Sequence, residues 1–436
     1  MNVREMTIYS IFVRNHGGSF AAVAQDIPRI RALGVDAVWL MPIHPIGKEK
    51  RKGSLGSPYA ISDYRAVNPE YGTLDDFRAL ADAVHANGMK LLIDVVYNHT
   101  APDSRLAKQH PEWFYHRPDG SFGNRVGDWS DIIDLDYTVD ADEILHCAPE
   151  ALCDLPLPGL WDYQIESLKY WAQFVDGFRC DVAPLVPLNF WLRARAAVET
   201  VRPGCIWLAE SVEQEFLAYA RSRGMTALSD TELYRAFDIC YDYDIWWEYE
   251  RYAGGLDSLE QYVHSLNWQL KTYPAGFSKL RCLENHDRPR MGKWFPTAQL
   301  QRNWLSWCFF QQGTALLYSG QEWAPAHTPT LFDPDPIPME GPAVHAALIR
   351  KLTAMKKDAL FSHGVYALKA CPNDLLLASY RLGGRRAVGL FSLKGQPGLV
   401  PTDLPDGQYT NYIDGSALSV ESGLLASSGE PIIVIR

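Results

Sequence analysis

The sequence predicts an α/β protein built on a closed (β/α)8 TIM barrel, with a small domain inserted after strand 3 and a C-terminal antiparallel β domain. Three observations predict it. Short apolar runs alternate with amphipathic runs of helical period as far as residue 358, and strict alternation argues for a parallel sheet. The alternation completes eight repeats, over about 350 residues, which is the number that closes a barrel. Two segments break the beat: 100–157, rich in Asp, Gly, Pro, Trp and Tyr, and 359–436, whose apolar runs are cut by Gly and Pro turns.

The elements follow in order. "MTIYSIFV" at 6–13 is the first strand, and 19–34 is a helix stopped by Gly34. "AVWLMPI" at 37–43 is the second strand. The helix at 73–88 has Thr73 as its cap, acids in the first turn and Gly88 as its stop. "KLLIDVV" at 90–96 is the third strand, and its helix arrives only at 159–174, after the long interruption. A strand at 177–183, a helix at 187–202, the strand "CIWLAES" at 205–211 and a helix at 213–223 come next. A strand near 232–240, a helix at 258–272, the strand "KLRCLENH" at 279–286 and a helix at 298–312 follow. "TALLYSG" at 314–320 and a helix at 341–358 complete the count. The domain reading is therefore a barrel from 1–99 and 158–358, an inserted domain at 100–157 leaning over the barrel mouth, and a β-sandwich at 359–436. A loop as long as 100–157 is usually functional.

Composition narrows the function. A chain of 436 residues with 47% apolar and 21% charged residues is that of a globular protein. A net charge of −11 disfavours nucleic acid and anionic membranes as partners. No apolar run approaches the roughly 20 residues of a membrane span. The N-terminus runs almost directly into a strand, without a basic-then-apolar leader. The eight cysteines have no metal-ligand spacing, and Cys180, Cys205, Cys282 and Cys308 lie in apolar runs. Both features predict a cytoplasmic protein with reduced thiols. Aromatics are abundant, with 14 Trp and 22 Tyr, to fill a core or to line a cleft for hydroxylated ligands.

The stretch "GFRCDVAPLV" at 177–186 poses the functional question. A strand between two helices is covered on both faces and should be apolar throughout. This one carries Arg179 and Asp181, two residues apart and so on one face. In such barrels the active site lies at the C-terminal ends of the strands. Four strand ends are polar there: Asp94, Asn98 and His99 on the third, Arg179 and Asp181 on the fourth, Glu210 on the fifth, and Glu284, Asn285, His286 and Asp287 on the seventh. A buried structural network of that composition would be costly, because each charge needs full pairing. A catalytic site is the better explanation. A guanidinium beside Asp181 predicts a carboxylate held ionised at a lowered pKa. The apolar flank of Glu210 (Trp207, Leu208, Ala209) predicts a raised one.

"DVVYNHT", "GFRCDVA", "AES" and "ENHD", in that order, resemble the four signature regions of the α-amylase superfamily of retaining α-glycoside hydrolases, glycoside hydrolase family 13. "GSPYAISDY" at 56–64, "LCDLPLPGLWDY" at 152–163 and "SGQE" at 319–322 are similar to further family segments, and the resemblance spans the whole chain. It implies hydrolysis of α-glucosidic bonds, mainly α-1,4, in maltooligosaccharides or starch-type α-glucans by double displacement. Asp181 is then the nucleophile, Glu210 the general acid and base, and Asp287 the group that holds sugar hydroxyls and stabilises the transition state. His99 and His286 would bond sugar hydroxyls, Tyr59 would stack on the reacting sugar, Arg179 would hold Asp181, and Asp94 would brace the site.

Departures from the family pattern sharpen the expectation. Pro184 and Leu185 stand where Lys-His is common, so contacts beyond the scissile bond differ. Ala60, where exo-acting relatives have Asp, argues against a closed pocket, and Val182 resembles enzymes that tolerate α-1,6 linkages. An α-glucan transglycosylase or α-1,6-acting glucosidase is the alternative within the superfamily. A non-catalytic member would lack the carboxylates, and a metal-dependent hydrolase on the same barrel would need a ligand pair that is not evident. No cofactor is expected to be required. The resemblance implies calcium beside Asn98, with acids of the insert (Asp128, Asp131, Asp134, Asp136) as partners. Pro184 and Leu185 alter the loop that supplies a further ligand, so the calcium site is expected to be weak or absent. The insert would then be held by Trp113, Phe114, Tyr115 and Trp129.

Overall fold

The computed structural model describes residues 2–127 and 129–436. Eight parallel strands close a barrel: β1 Thr7–Ile11, β2 Ala37–Leu40, β3 Lys90–Val95, β4 Gly177–Cys180, β5 Ile206–Ala209, β6 Ile239–Tyr241, β7 Lys279–Arg281 and β8 Thr314–Tyr318. Each pairs with its sequence neighbours, and β8 returns to β1. The register decides which side chains share the interior. Asp94 lies opposite Arg179, and Arg179 opposite Leu208. Phe178 and Cys180 point the other way and are buried beneath the helices.

The helices form where apolar residues recur at helical spacing. Phe77, Leu80, Ala81 and Val84 bury one face of the helix Leu74–Ala86, which Thr73 and Asp76 start with a capping box. Gly34 ends the helix Phe20–Ala32 at φ 88°, and a Cβ there would come within 2.2 Å of Thr353 Oγ1. This position requires glycine both for conformation and for space.

Three predicted elements differ. In place of a strand near 232–240, Ser229 and Glu232 cap a short helix, Asp230–Leu233, and β6 keeps only three residues. The reciprocal capping box overrides the apolar run. β7 ends at Arg281, leaving 282–286 as irregular rim. The last barrel helix begins at Ala346, after the Gly341–Pro342 turn, and a further helix, Ala359–His363, follows it with Asp358 as its cap.

The segment 100–157 is anchored to the rim of β3. His99–Thr100 pairs antiparallel with Ile133–Asp134, and Tyr137 donates to the Tyr97 carbonyl at 2.8 Å. Of the four aromatics expected to hold it, Phe114 is buried, Trp113 stacks on His110, Arg125 lies over Tyr115, and Trp129 packs against His99. Beyond the barrel, β9 Val365–Cys371, β10 Leu375–Leu382, β11 Arg385–Ser392, β12 Gly398–Pro401, β13 Gly407–Thr410, β14 Ala417–Glu421, β15 Leu424–Ser427 and β16 Ile432–Ile435 make two four-stranded antiparallel sheets. Their orders are β9-β10-β11-β16 and β12-β15-β14-β13. Leu375, Leu390, Val400 and Leu425 pack between them, and Phe391 and Tyr380 pack on Phe310 of the barrel. Among the described residues no helix is long and apolar enough to cross a membrane.

Candidate active site

Inward-facing positions of β3, β4 and β5 bring Asp94, Arg179, Asp181 and Glu210 to one point. Arg179 is fully buried. Its Nη1 donates to Asp94 Oδ1 at 2.9 Å, Asp94 Oδ2 at 3.0 Å and Asp181 Oδ1 at 2.8 Å. Its Nη2 lies 2.9 Å from Glu210 Oε2, an ionic contact without hydrogen-bond geometry, so Nη2 has no hydrogen-bond partner. Nε donates to the Tyr241 hydroxyl at 3.2 Å, and the guanidinium packs over the rings of Trp39, Tyr59 and Tyr241. One planar cation therefore orients two carboxylates on adjacent strands.

The backbone adds a second link. Val182 follows Asp181 with φ 33° and ψ 47°, a left-handed conformation rare for a β-branched residue. Its N–H donates to Glu210 Oε2 at 2.8 Å.

On the facing rim, Tyr59 stacks on His286 with ring centroids 5.5 Å apart, and its hydroxyl meets His286 Nε2 at 2.7 Å and Asp94 Oδ2 at 3.2 Å. His286 Nε2 also lies 3.1 Å from Asp287 Oδ2, and His99 Nε2 lies 3.8 Å from Asp181 Oδ2. All of the candidate residues thus converge: Asp181, Glu210, Asp287, Tyr59, His99 and His286 line one cleft with a cavity volume of about 400 Å3, with Arg179 and Asp94 directly behind.

The acids differ in proton affinity. Burial raises Glu210 to about 8, against the pull of Arg179, and the charges of Asp181 and Asp287 add to the rise. Burial also opposes ionisation of Asp287, but His286, Arg179 and Arg288 outweigh it and bring that carboxyl down to about 2. Burial lowers His99 to about 4, which keeps the imidazole neutral. The expected lowering at Asp181 is corrected: burial outweighs Arg179, and the carboxyl is raised. A guanidinium shared among three carboxylates offsets only part of what desolvation costs each one.

Other expectations move. Glu284 leaves the cleft: it is fully buried, bonded to Arg290 at 2.6 Å and to the Met291 N–H at 2.5 Å. Asp131, expected among calcium partners, meets Lys52 Nζ at 2.8 Å in the cleft wall. Residues not anticipated also line the cleft. Arg288 packs over Tyr243 at 4.4 Å and pairs with Glu213. Phe216 lines the same end. The available signals were Arg288 directly after Asp287 and Glu213 three residues after Glu210.

The residues around Asn98 do not fit a divalent ion. A cavity of about 160 Å3 lies among Asn98, Arg125, Asp134, Asp136 and Leu185. Arg125 Nη2 lies 3.0 Å from Asp136, Nη1 lies 4.0 Å from Asp134, and Nη1 donates to the Leu135 carbonyl at 3.2 Å. Asn98 Nδ2 meets His99 Nδ1 at 3.2 Å. Asp134 Oδ1 is buried without a partner, one oxygen where calcium needs about six to eight. The guanidinium already supplies the positive charge. Asp128 lies outside the described residues. Among the described residues no group of three or more His, Cys, Asp or Glu could hold a metal.

Residues 9–356 match the family model for the alpha amylase catalytic domain, and residues 367–434 match the bacterial alpha amylase C-terminal domain. The chain belongs to the α-amylase family. An alpha-amylase of known structure from Lactobacillus plantarum is similar to this family member over 100% of its chain and 99% of the other, with 46% identity and a TM-score of 0.93. A noncanonic maltogenic alpha-amylase from Thermotoga neapolitana is similar over 100% and 99%, with 32% identity and a TM-score of 0.85. An alpha-1,4-glucan:maltose-1-phosphate maltosyltransferase from Mycobacterium tuberculosis (strain CDC 1551 / Oshkosh) is 33% identical over 257 residues, 52% of this chain and 34% of that protein. The chain spans about a third of the length of the curated relatives it matches.

Proposed function

We propose that this α-amylase-family chain hydrolyses α-glucosidic bonds, mainly α-1,4, in maltooligosaccharides by a retaining double displacement. The observation that carries the reading is the Arg179 fork between Asp181 and Glu210, with Glu210 holding its proton to about pH 8. Two carboxyls gathered on one guanidinium suit the separation of about 5–5.5 Å that a covalent intermediate needs, rather than the wider gap of inversion. Asp181 attacks the anomeric carbon while Glu210 protonates the departing oxygen, and Glu210 then takes a proton from the water that releases the sugar. Asp287, ionised and hydrogen-bonded to His286, bonds sugar hydroxyls as positive charge develops. Neutral His99 fixes the ring together with His286 and Tyr59. Arg179 and Asp94 are positioning residues. Arg125 supports the reading that no calcium is required.

The maltosyltransferase relatives suggest transfer from a phosphorylated donor as the second reading. Cleft charge favours the first. Lys52 and Arg288 are each paired, with Asp131 and Glu213, and Asp181, Glu210 and Asp287 share the cleft with them. A donor phosphate would meet mostly carboxylates, whereas a neutral glucan pays no such repulsion. Eight free thiols among the described residues support a reducing compartment. NMR of the first turnovers on maltoheptaose tests the proposal. Shortened α-anomeric products are expected. Initial β product would overturn retention, and chain elongation with phosphate release from maltose-1-phosphate would replace hydrolysis with transfer.

A further inference from the structure

We propose that the Lys52–Asp131 ion pair straps the glycone end of the cleft shut, so that the enzyme removes a short, fixed length from the non-reducing end of an α-glucan. The inference rests on the catalytic roles proposed above, because those roles orient the cleft. Glu210 protonates the leaving oxygen and so stands on the leaving-group side, where the wall continues through Glu213 and Phe216. In the barrel order β2 and β8 flank β1, across the ring from β5, so the loops that carry Lys52 and Phe332 rise on the side opposite Glu210, and both residues line the cleft together with Asp131.

Three chain segments meet at that end. The loop 47–57 docks on the loop 330–335: the Leu55 N–H donates to the Phe332 carbonyl at 2.9 Å, and the Ser54 N–H donates to Asp333 Oδ1 at 2.7 Å. Gly53 makes the dock close. Its φ is 62°, and a Cβ there would come within 2.6 Å of Phe332 Cβ. Arg14 ties the loops from beneath, with Nη1 donating to the Leu331 carbonyl at 2.7 Å and the Gly56 carbonyl at 3.1 Å. The third segment is the insert, which contributes Asp131.

Asp131 is 4% exposed. A carboxylate so buried needs a partner, and Lys52 Nζ, on a side chain 38% exposed, meets it at 2.8 Å. The pair therefore joins the docked loops to the insert across the line along which a longer glycone would extend. Ala60 leaves that end without the carboxylate that would cap it locally, and Lys52–Asp131 closes it from the rim. Breaking the pair frees Asp131 to take water as its partner and lets the insert part from the loop, so that additional sugar units thread past.

The test is the length of glycone released from reducing-end-labelled maltoheptaose at low conversion. Wild type, Lys52→Gln, Asp131→Asn and the reversed pair Lys52→Asp/Asp131→Lys are compared. Wild type is expected to release one dominant short glycone. Either single change should raise the ratio of longer to shortest glycone by about threefold to tenfold, as suits one partly buried ion pair, and the reversed pair should return it toward wild type. Lys52 is exposed enough for its variant to fold, which keeps the test readable if Asp131→Asn does not. Glycones of all lengths from wild type, or a distribution that both single variants leave unchanged, would overturn the strap. Elongated products would defeat the hydrolytic reading alone, because the length of glycone transferred reports on the strap equally well.

Discussion

Two fully buried cations gather carboxylates in this protein, and they do so to opposite ends. Arg179 on β4 faces the barrel interior and contacts Asp94, Asp181 and Glu210. Lys279 on β7 pairs with Asp230 and with Asp244, at 2.7 Å for the latter, and donates to the Tyr241 carbonyl at 3.0 Å. Gln269, on the helix Leu259–Thr272, and Tyr273 donate to Asp244 Oδ2 at 3.0 and 2.7 Å, and Arg281 donates to both oxygens of Asp242 at 2.7 Å. The Lys279 cluster is saturated: each proton of its ammonium has an acceptor. The Arg179 cluster is not, since Nη2 lacks a hydrogen bond and His286 Nδ1 beside it has none. Its acids diverge: Asp287 is brought down to about 2, Glu210 is pushed up to about 8, and burial raises Asp94 well above the ordinary carboxylate range. Composition alone does not separate a structural ion network from a catalytic one. Incomplete satisfaction does: a second cavity of about 390 Å3 lies against Asp230 and Asp244, and burial raises Asp230 as well, to about 6, yet their cation has every proton paired.

The contrast breaks most sharply at Asp181, the proposed nucleophile. Asp181→Asn should lower turnover by about three orders of magnitude or more while leaving the melting temperature close to wild type, because it removes covalent catalysis and little packing. Substantial residual hydrolysis of an activated aryl α-glycoside would remove the nucleophile role. Lys279→Met should do the reverse. It strands Asp230 and Asp244 without their cation, and denaturant unfolding should show a loss of about 3–5 kcal/mol. If that variant instead stays stable and loses its turnover, the two clusters have been assigned the wrong way round.

Glu210→Gln sharpens the comparison through pH. Because the folded carboxyl holds its proton to about 8, the wild-type kcat/KM should fall on the alkaline side near that pH, and the variant should lose that limb. Stability carries the same sign. From the ordinary carboxylate range up to about 8 Glu210 holds its proton more tightly in the folded state than in the unfolded one, so its contribution to stability declines with rising pH across that window. The glutamine variant should not share this decline, and parallel pH profiles of unfolding would contradict the raised pKa. Maltosides, with poor leaving groups, should suffer more from this substitution than nitrophenyl maltosides. The smallest effect is expected from a strong chelator. Arg125 supplies the charge beside Asp134 and Asp136, so the melting temperature should stay put, and a large fall restored by calcium alone would reinstate a metal there.

Much of this was legible because period is legible. Arg179 and Asp181 sit two apart in "GFRCDVA", and only a strand with an inward polar face at its C-terminal end accommodates them. The barrel follows from eight such beats. The long-range pairs were opaque. Lys52 and Asp131 lie 79 positions apart, Glu213 and Arg288 75, and no local pattern marks either pair. The net shift at Asp181 was misjudged for a related reason: its neighbour is visible in sequence, its depth is not, and depth weighs more. At 232–240 a local signal was present but unread, since Ser229 and Glu232 already spell a helix start.

Val182 has one further consequence. Held at φ 33°, it stores strain of the order of 1–3 kcal/mol next to Asp181, and its N–H reaches Glu210 at the end of the adjacent strand. That amide bond strengthens when Glu210 loses its proton, because the acceptor gains a full charge. On the proposed double displacement this strained joint would tighten while Asp181 is esterified and Glu210 ionised, and slacken once the ester is cleared. A glycine at this position would relieve the strain and loosen the joint.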